Sequence, residues 1–335
     1  MARQRSEYPG RGGARAAYAD AGGGGQGAAD GCRSARVHAT IAAPTAQERS
    51  GMSEALRRLL DGLGHDDDWL RPDRWRERAQ LQERIERLSL SLGDDAGAAI
   101  LAARVDAAQA IMEAADAATA ATMRARIVAG EGAQLLREWR SASPADAHGD
   151  GYDPLDAMLA AVLGLVEPRG EIAAPAPQTV FYQPTPARHL LDLLARLDLG
   201  EHDVLIDLGS GLGHLPLLAA ACTSARCIGI EHEAAYVDSA RAGAQALRLQ
   251  RAEFLHADAL VADLSAGTVF YLYTPFTGDL LAQVLERVRE LALQRPIRVA
   301  SLGPCTRTLA AQPWLRLLQP AWSPDRIALF AAGAA

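Results

Sequence analysis

The chain contains no lysine: all 34 of its lysine-plus-arginine positions are arginine, set against 41 acidic residues for a formal net charge of −7. Binding to a phosphate backbone needs clustered cations with few acids nearby, and no such cluster occurs, so nucleic acid is not expected as a partner. A GC-rich genome accounts for both the missing lysine and the abundant alanine. Cysteine is also scarce. Cys32, Cys222, Cys227 and Cys305 show neither C-x-x-C spacing nor a neighbouring histidine pattern, which excludes a recognisable zinc site, and no metal is expected. Cys227 lies in an apolar run and reads as core. No uninterrupted apolar stretch of about 20 residues exists, and the N-terminus lacks the short apolar core of a signal peptide. The expectation is a cytoplasmic protein with no membrane association.

What is present divides by composition. Residues 1–51 hold 10 of the 30 glycines without a periodic apolar pattern and read as a disordered tail. From 52 to 165 the pattern is helical. Ser53 can cap a first helix carrying Leu56, Leu59, Leu60 and Leu63, and MSEALRRLL from Met52 has the form of a translation start. A second helix follows Asp73 with Leu81, Ile85, Leu88 and Leu92 on one side, and a long alanine-rich helix runs from about 96 to 129. Shorter helices are expected at about 131–140 and 154–165. This region either selects a substrate or covers and dimerises the remainder. VEPRGEIAAPAPQTV at 166–180 breaks the pattern with three prolines and reads as a linker.

From 181 onward short apolar strands alternate with helices: VLIDLG, HLPLLAAAC, CIGIE, AYVDSARAGAQAL, AEFLHAD, TVFYLY, DLLAQVLERVREL, IRVASLG and RIALFAA. The fold class is α/β, a Rossmann-like doubly wound and mostly parallel seven-stranded sheet preceded by an all-α N-terminal domain. Ligands in such sheets sit beyond the carboxyl ends of the strands, which brings Asp207, Glu231, Asp258 and Tyr273 to one edge.

VLIDLGSGLGH at 204–214 turns a strand tightly into a helix through Gly209, Gly211 and Gly213. The spacing is G-x-G-x-G. A dinucleotide fingerprint needs G-x-G-x-x-G, and here His214 stands where the third glycine belongs. A phosphate loop ending G-K-[ST] is absent. Asp207 can order the turn or accept from an ammonium group. Glu231 closes the next strand, where it can accept from two ribose hydroxyls or stand as a solvated acid. Asp258 can accept from an adenine amino group or cap a following helix.

With these residues in place, the stretch 180–332 resembles class I S-adenosylmethionine-dependent methyltransferases. DLGSGLG is similar to that family's first motif, Glu231 to its acidic ribose ligand, HAD at 256–258 to its adenine segment and YLYTPF at 271–276 to its fourth motif. The first motif is also locally similar to that of non-SET histone-lysine methyltransferases. FYQPTPARHLLDLL at 181–194 fits the helix that precedes the first motif, with Tyr182, Pro184 and Thr185 as lips of the pocket. The resemblance implies S-adenosyl-L-methionine as cofactor, held by Tyr182, Thr185, Asp207, Gly209, Ser210, Gly211, Gly213, Glu231, His232, Asp258 and Ala259. It implies Tyr273 beside the transferred methyl, with Tyr271 either on the same face or buried core. His214 and His232 are bases or simple turn residues.

The fourth motif departs from the amino-directed members. They carry an acid or amide followed by Pro-Pro and an aromatic, and this chain has Tyr273, Thr274, Pro275 and Phe276. The paired asparagines of the non-SET lysine enzymes are also missing. The expected partner is an unidentified methyl acceptor, protein or small molecule, with a homodimer through the helical region as one assembly the sequence allows. A catalytically inactive cofactor-binding module and a nicotinamide-dependent oxidoreductase are the alternatives, the latter disfavoured by the glycine spacing.

Overall fold

The computed structural model describes residues 45–65, 67–90, 92–93, 95–141, 149, 151–168, 178–180 and 182–333. Residues 1–44 of the expected tail at 1–51 and residues 169–177 of the expected linker at 166–180 lie outside them, while 46–51, expected to be tail, are helical. Helix α1 (Ala46–Leu63) begins ahead of Met52, because Thr45 accepts from the Glu48 N–H at 3.3 Å and Glu48 returns a bond to the Thr45 N–H at 2.7 Å. That capping box places Ser53 inside the helix, so Ser53 is not its cap. Helices α2 (Trp75–Ser89), α3 (Ala96–Val128), α4 (Gly132–Ser141) and α5 (Pro154–Leu163) follow. Asp153 caps α5 through a reciprocal pair with Asp156, and Gly164 closes it in the left-handed conformation.

Contacts divide the described chain into two compact units, the first comprising residues up to 67 with 81–109, the second 68–80 with 110 onward. The first carries buried Leu56, Leu60, Ile85, Leu101 and Val105. In the second, the wholly buried Arg78 guanidinium binds Asp116 at 2.7 Å, Thr119 and the carbonyls of Trp69 and Arg71, so its charge and donors are met inside the fold.

The rest of the second unit is the alternation read from the sequence: α6 (Ala187–Leu197), β1 (Val204–Leu208), α7 (His214–Cys222), β2 (Arg226–Glu231), α8 (Ala234–Ala246), β3 (Ala252–His256), β4 (Val269–Tyr273), α9 (Gly278–Ala292), β5 (Ile297–Leu302), α10 (Cys305–Ala310), β6 (Arg316–Leu317) and β7 (Ala328–Ala332). The seven strands lie in the order β3-β2-β1-β4-β5-β7-β6, parallel through β5, with β7 antiparallel to both β5 and β6. Chain direction across the sheet reverses between β1 and β4, which opens a crevice at their carboxyl ends.

Side chains alternate between two cores. Leu205, Cys227, Tyr271 and Leu302 face one side with α4 to α8, while Ile206, Ile228, Phe270 and Val299 face the other with α9 and α10. Leu135 and Trp139 of α4 and Leu159, Val162 and Leu163 of α5 enter the first core beside Leu190 of α6 and Leu217 of α7. Two helices upstream of the expected linker are therefore packed into the sheet's own core. At the α4 and α7 contact, a methyl group on Gly132 would lie 1.9 Å from the Ala221 carbonyl oxygen.

Alanine is ordinarily the better helix former by about 1 kcal/mol. Gly132→Ala is expected to reverse that sign and cost about 2 kcal/mol in urea unfolding, because backbone must separate from backbone. Gly51→Ala in α1, which meets nothing within 4 Å, is expected to be neutral or stabilising; equal effects at both positions would contradict the packing.

Candidate functional site

The turn after β1 is bent by three left-handed glycines, with φ of 80° at Gly209, 52° at Gly211 and 84° at Gly213. The Gly209 and Ser210 amides donate to the Ile230 carbonyl at 2.9 and 3.1 Å, which fastens the turn to the end of β2. Neighbours close in where side chains are missing. A methyl on Gly209 would meet Pro275 at 2.5 Å, one on Gly211 the Tyr182 ring at 2.0 Å, and one on Gly213 the Phe254 ring at 2.6 Å. These positions require glycine both for conformation and for space.

Glu231 at the end of β2 accepts from the Gly211 N–H at 2.8 Å and from the Glu233 N–H at 2.9 Å. One carboxylate thus ties the glycine turn to the start of α8, and each oxygen keeps a second lone pair for a ligand hydroxyl. Asp207 is the register partner of Gly229 on β2 and of Tyr271 on β4. It is buried, and no hydrogen bond to its carboxyl group occurs among the described residues. Burial, with the Glu231 charge added, pushes Asp207 up to about 8. The Ser210 hydroxyl beside it is also buried without a partner.

Across the turn runs the segment 178–186. The expected helix over 181–194 begins only at Ala187: Pro184 and Pro186 hold the preceding residues out of helical geometry. The Val180 N–H donates to the Pro275 carbonyl at 3.2 Å, and Thr179 bridges Phe276. Tyr182 approaches His214 Nδ1 at 3.3 Å and packs its ring 4.8 Å from that of Tyr236. His214 opens α7, and burial pushes it down to about 4, so it stays neutral near neutrality. Thr185 and Tyr271 share a buried hydroxyl bond of 2.9 Å.

Both tyrosines of β4 lie on one face as strand alternation requires. Tyr271 is 1% exposed, the core alternative, while Tyr273 is half-buried at the edge. Beyond it Thr274 adopts a left-handed φ of 43°, donates to the Leu302 carbonyl at 3.1 Å and accepts from the Cys305 N–H at 3.2 Å. This locks the atypical fourth motif to the end of β5 and sets where Tyr273 stands. Asp258 is exposed and caps no helix: its carboxylate accepts from the Leu260 N–H at 2.8 Å within a turn. Ala259 is buried beside it, and the carbonyl of the exposed His232 accepts from the His256 ring Nε2 at 2.9 Å. Among the described residues no cluster of metal-binding side chains occurs, and no helix is long and apolar enough to cross a membrane.

One grouping escaped the sequence reading. All five tyrosines among the described residues, Tyr152, Tyr182, Tyr236, Tyr271 and Tyr273, belong to this edge or to the segment over it, with Tyr152 donating to the Pro184 carbonyl at 2.9 Å. In a chain only 5% aromatic, that concentration was the available signal.

A family model described as histone methylation protein DOT1 matches residues 178–265, from the overlying segment through the glycine turn, Glu231 and Asp258. The match covers about a quarter of the chain, and over that stretch the protein is similar to this methyltransferase family. No curated protein matches the chain. Among solved structures, the chain is similar to an RNA methyltransferase from Salinibacter ruber in complex with S-adenosyl-L-homocysteine, at 25% identity over 45% of this chain and 92% of that one, with a TM-score of 0.34. It is also similar to the putative methyltransferase yhhF from Escherichia coli, at 20% identity over 48% and 92% of the two chains, with a TM-score of 0.38.

The acid pushed up to about 8 gives a sign to the pH dependence of the ligand-free protein's stability. The folded state holds the Asp207 proton more tightly than the unfolded state, so this contribution is complete below the unfolded value near 4 and is lost as pH rises through about 8. His189 and His214, both held by burial below their ordinary value near 6.5, add a slope of the opposite sign to either protein, so the readout is the difference between them. Between pH 7 and 8 the unfolding free energy of the wild type is expected to fall by about 1 kcal/mol relative to Asp207→Asn, read from urea titrations. Parallel slopes in the two proteins would contradict the burial of Asp207.

Proposed function

We propose that the crevice over β1, β2 and β4 holds S-adenosylmethionine and that the methyl group passes to a protein or small-molecule acceptor on the Tyr273 side. The observation that carries this reading is the Asp207 carboxyl group, buried next to the glycine turn with no cation paired to it among the described residues. A buried carboxylate is strongly stabilised by an opposite charge, and the ammonium of an amino-acid tail supplies one. A pyrophosphate in the same place would face the Glu231 charge and would bring Asp207 no cation, which disfavours a nicotinamide dinucleotide on electrostatic grounds as well as by glycine spacing.

In this reading Gly209, Gly211 and Gly213 let the backbone approach the cofactor, and the Ser210 hydroxyl, which has no protein partner, faces a polar group of it. Glu231 accepts from the ribose hydroxyls with its spare lone pairs. Asp258, Ala259 and His232 border the adenine, while Tyr182 and Thr185 close the opposite lip. When bound, the sulfonium presents an electrophilic methyl for in-line displacement, a reaction that asks chiefly for alignment. Tyr273 meets that demand from the end of β4, offering a hydroxyl or a ring face to positive charge. Tyr273 stands where the amino-directed members carry an acid or amide and offers neither to an amine hydrogen, so nucleobase and glutamine-amide acceptors are disfavoured. The part of the helical region 52–165 that belongs to the second unit helps select the acceptor, and Tyr152, just ahead of α5, already reaches Pro184.

Calorimetry with S-adenosylhomocysteine and, separately, NAD tests the assignment. The homocysteine product is expected to bind and NAD to leave no signal; the opposite result would remove the reading. Asp207→Ala and Gly211→Arg are expected to weaken binding at least 100-fold while helical circular dichroism is retained, and unchanged affinity in both would refute the site. Labelled-methyl transfer in lysate then distinguishes an active enzyme from a cofactor-binding module.

A further inference from the structure

Pro184 and Pro186 have no N–H to give, so the segment 182–186 cannot be held by a ladder of backbone bonds. Its position depends on a few side-chain anchors instead. The Tyr152 hydroxyl takes the Pro184 carbonyl at 2.9 Å, Asp156 accepts from the Ala187 N–H at 2.6 Å, and the Thr185 hydroxyl meets that of Tyr271 at 2.9 Å. The last is the anchor made to the sheet itself. Tyr271 is fixed by β4, pairs in register with Asp207, and is almost wholly enclosed, so its hydroxyl has little freedom to go elsewhere. Three residues before Thr185, the Tyr182 ring lies across Gly211 so closely that a methyl there would overlap it.

We propose that Tyr271 is a positioning residue: through Thr185 it latches the segment 182–186 to β4, and so keeps Tyr182 over the glycine turn where it retains bound cofactor. This rests on the assignment of the crevice to S-adenosylmethionine. Tyr271 itself is enclosed beneath Thr185 and is not a catalytic residue. Its loss leaves every group assigned to the cofactor in the chain but frees the segment that carries two of them. The effect therefore falls on cofactor residence rather than on entry, since loosening a cover speeds departure more than it slows encounter. An orphaned buried hydroxyl and a loosened segment together amount to about a tenfold change in affinity.

The test uses the full chain with S-adenosylhomocysteine as probe, stopped-flow dissociation, calorimetry and amide exchange. Tyr271→Phe and Thr185→Val are each expected to raise the dissociation rate about tenfold, to leave the association rate within about twofold, and to speed exchange of the Tyr182, Gln183, Thr185 and Ala187 amides while β1 and β2 stay protected. Thr185→Ser, which keeps the hydroxyl, is expected to restore wild-type residence. A lower melting temperature with unchanged dissociation and unchanged exchange in this segment would overturn the latch and leave Tyr271 a core residue only. Should Tyr271→Phe not fold, Thr185→Val carries the same comparison from outside the sheet. A wild type that fails to bind the probe refutes the cofactor assignment; exchange in the ligand-free variants still decides whether the latch exists.

Discussion

An acidic group enclosed without a counter-charge is the constraint around which this molecule is arranged. Asp207 sits on the central strand, between Gly229 and Tyr271, beneath a turn whose three glycines leave no side chain to answer it. Folding keeps it protonated near neutrality at an energetic cost that a purely structural residue, a leucine or an asparagine, would avoid. Such a cost is typical of sites where the compensating group arrives with a ligand. The neighbouring Glu231 is different in kind: its two backbone bonds give it a structural task, and its charge is part of what holds Asp207 high.

The surrounding architecture follows from that buried row. Gly209 and Ser210 must reach the Ile230 carbonyl for the turn to close, and Gly229 must be bare because Phe254 and Ser210 already fill the space above it. The crevice is covered by a proline-bearing segment held by side chains from three directions, β4, α5 and the residues ahead of α5. Helices α4 and α5 are consequently part of the core of the sheet, buried through Leu135, Trp139, Leu159 and Leu163.

Much of this was legible in the sequence. Strands ending in Asp207, Glu231 and Tyr273 announce themselves by apolar runs that stop at a polar residue, and the helix His214–Cys222 follows directly from the glycine turn. The mostly parallel sheet followed from the alternation, and its count of seven strands from the family resemblance. Other features depend on information that local pattern does not carry. Thr45 outcompetes Ser53 as a cap because Glu48 completes a box with it. Asp258 satisfies a turn where a helix cap was an equal reading. Periodicity shows that α4 and α5 have an apolar side, but not that α6 and α7 are what it faces. β6, only two residues long, has no pattern to detect, and the meeting of Thr185 with Tyr271 joins positions 86 residues apart.

The central claim is that the enclosed carboxyl group and the glycine turn are built around a nucleoside bearing a zwitterionic tail. A crystal structure of the full chain with S-adenosylhomocysteine tests it most directly. The account predicts the ammonium of the ligand within hydrogen-bonding distance of Asp207, both ribose hydroxyls on Glu231, and the open sulfur directed toward Tyr273. A ligand bound elsewhere, with the space between Asp207 and the glycine turn filled only by protein, would contradict it.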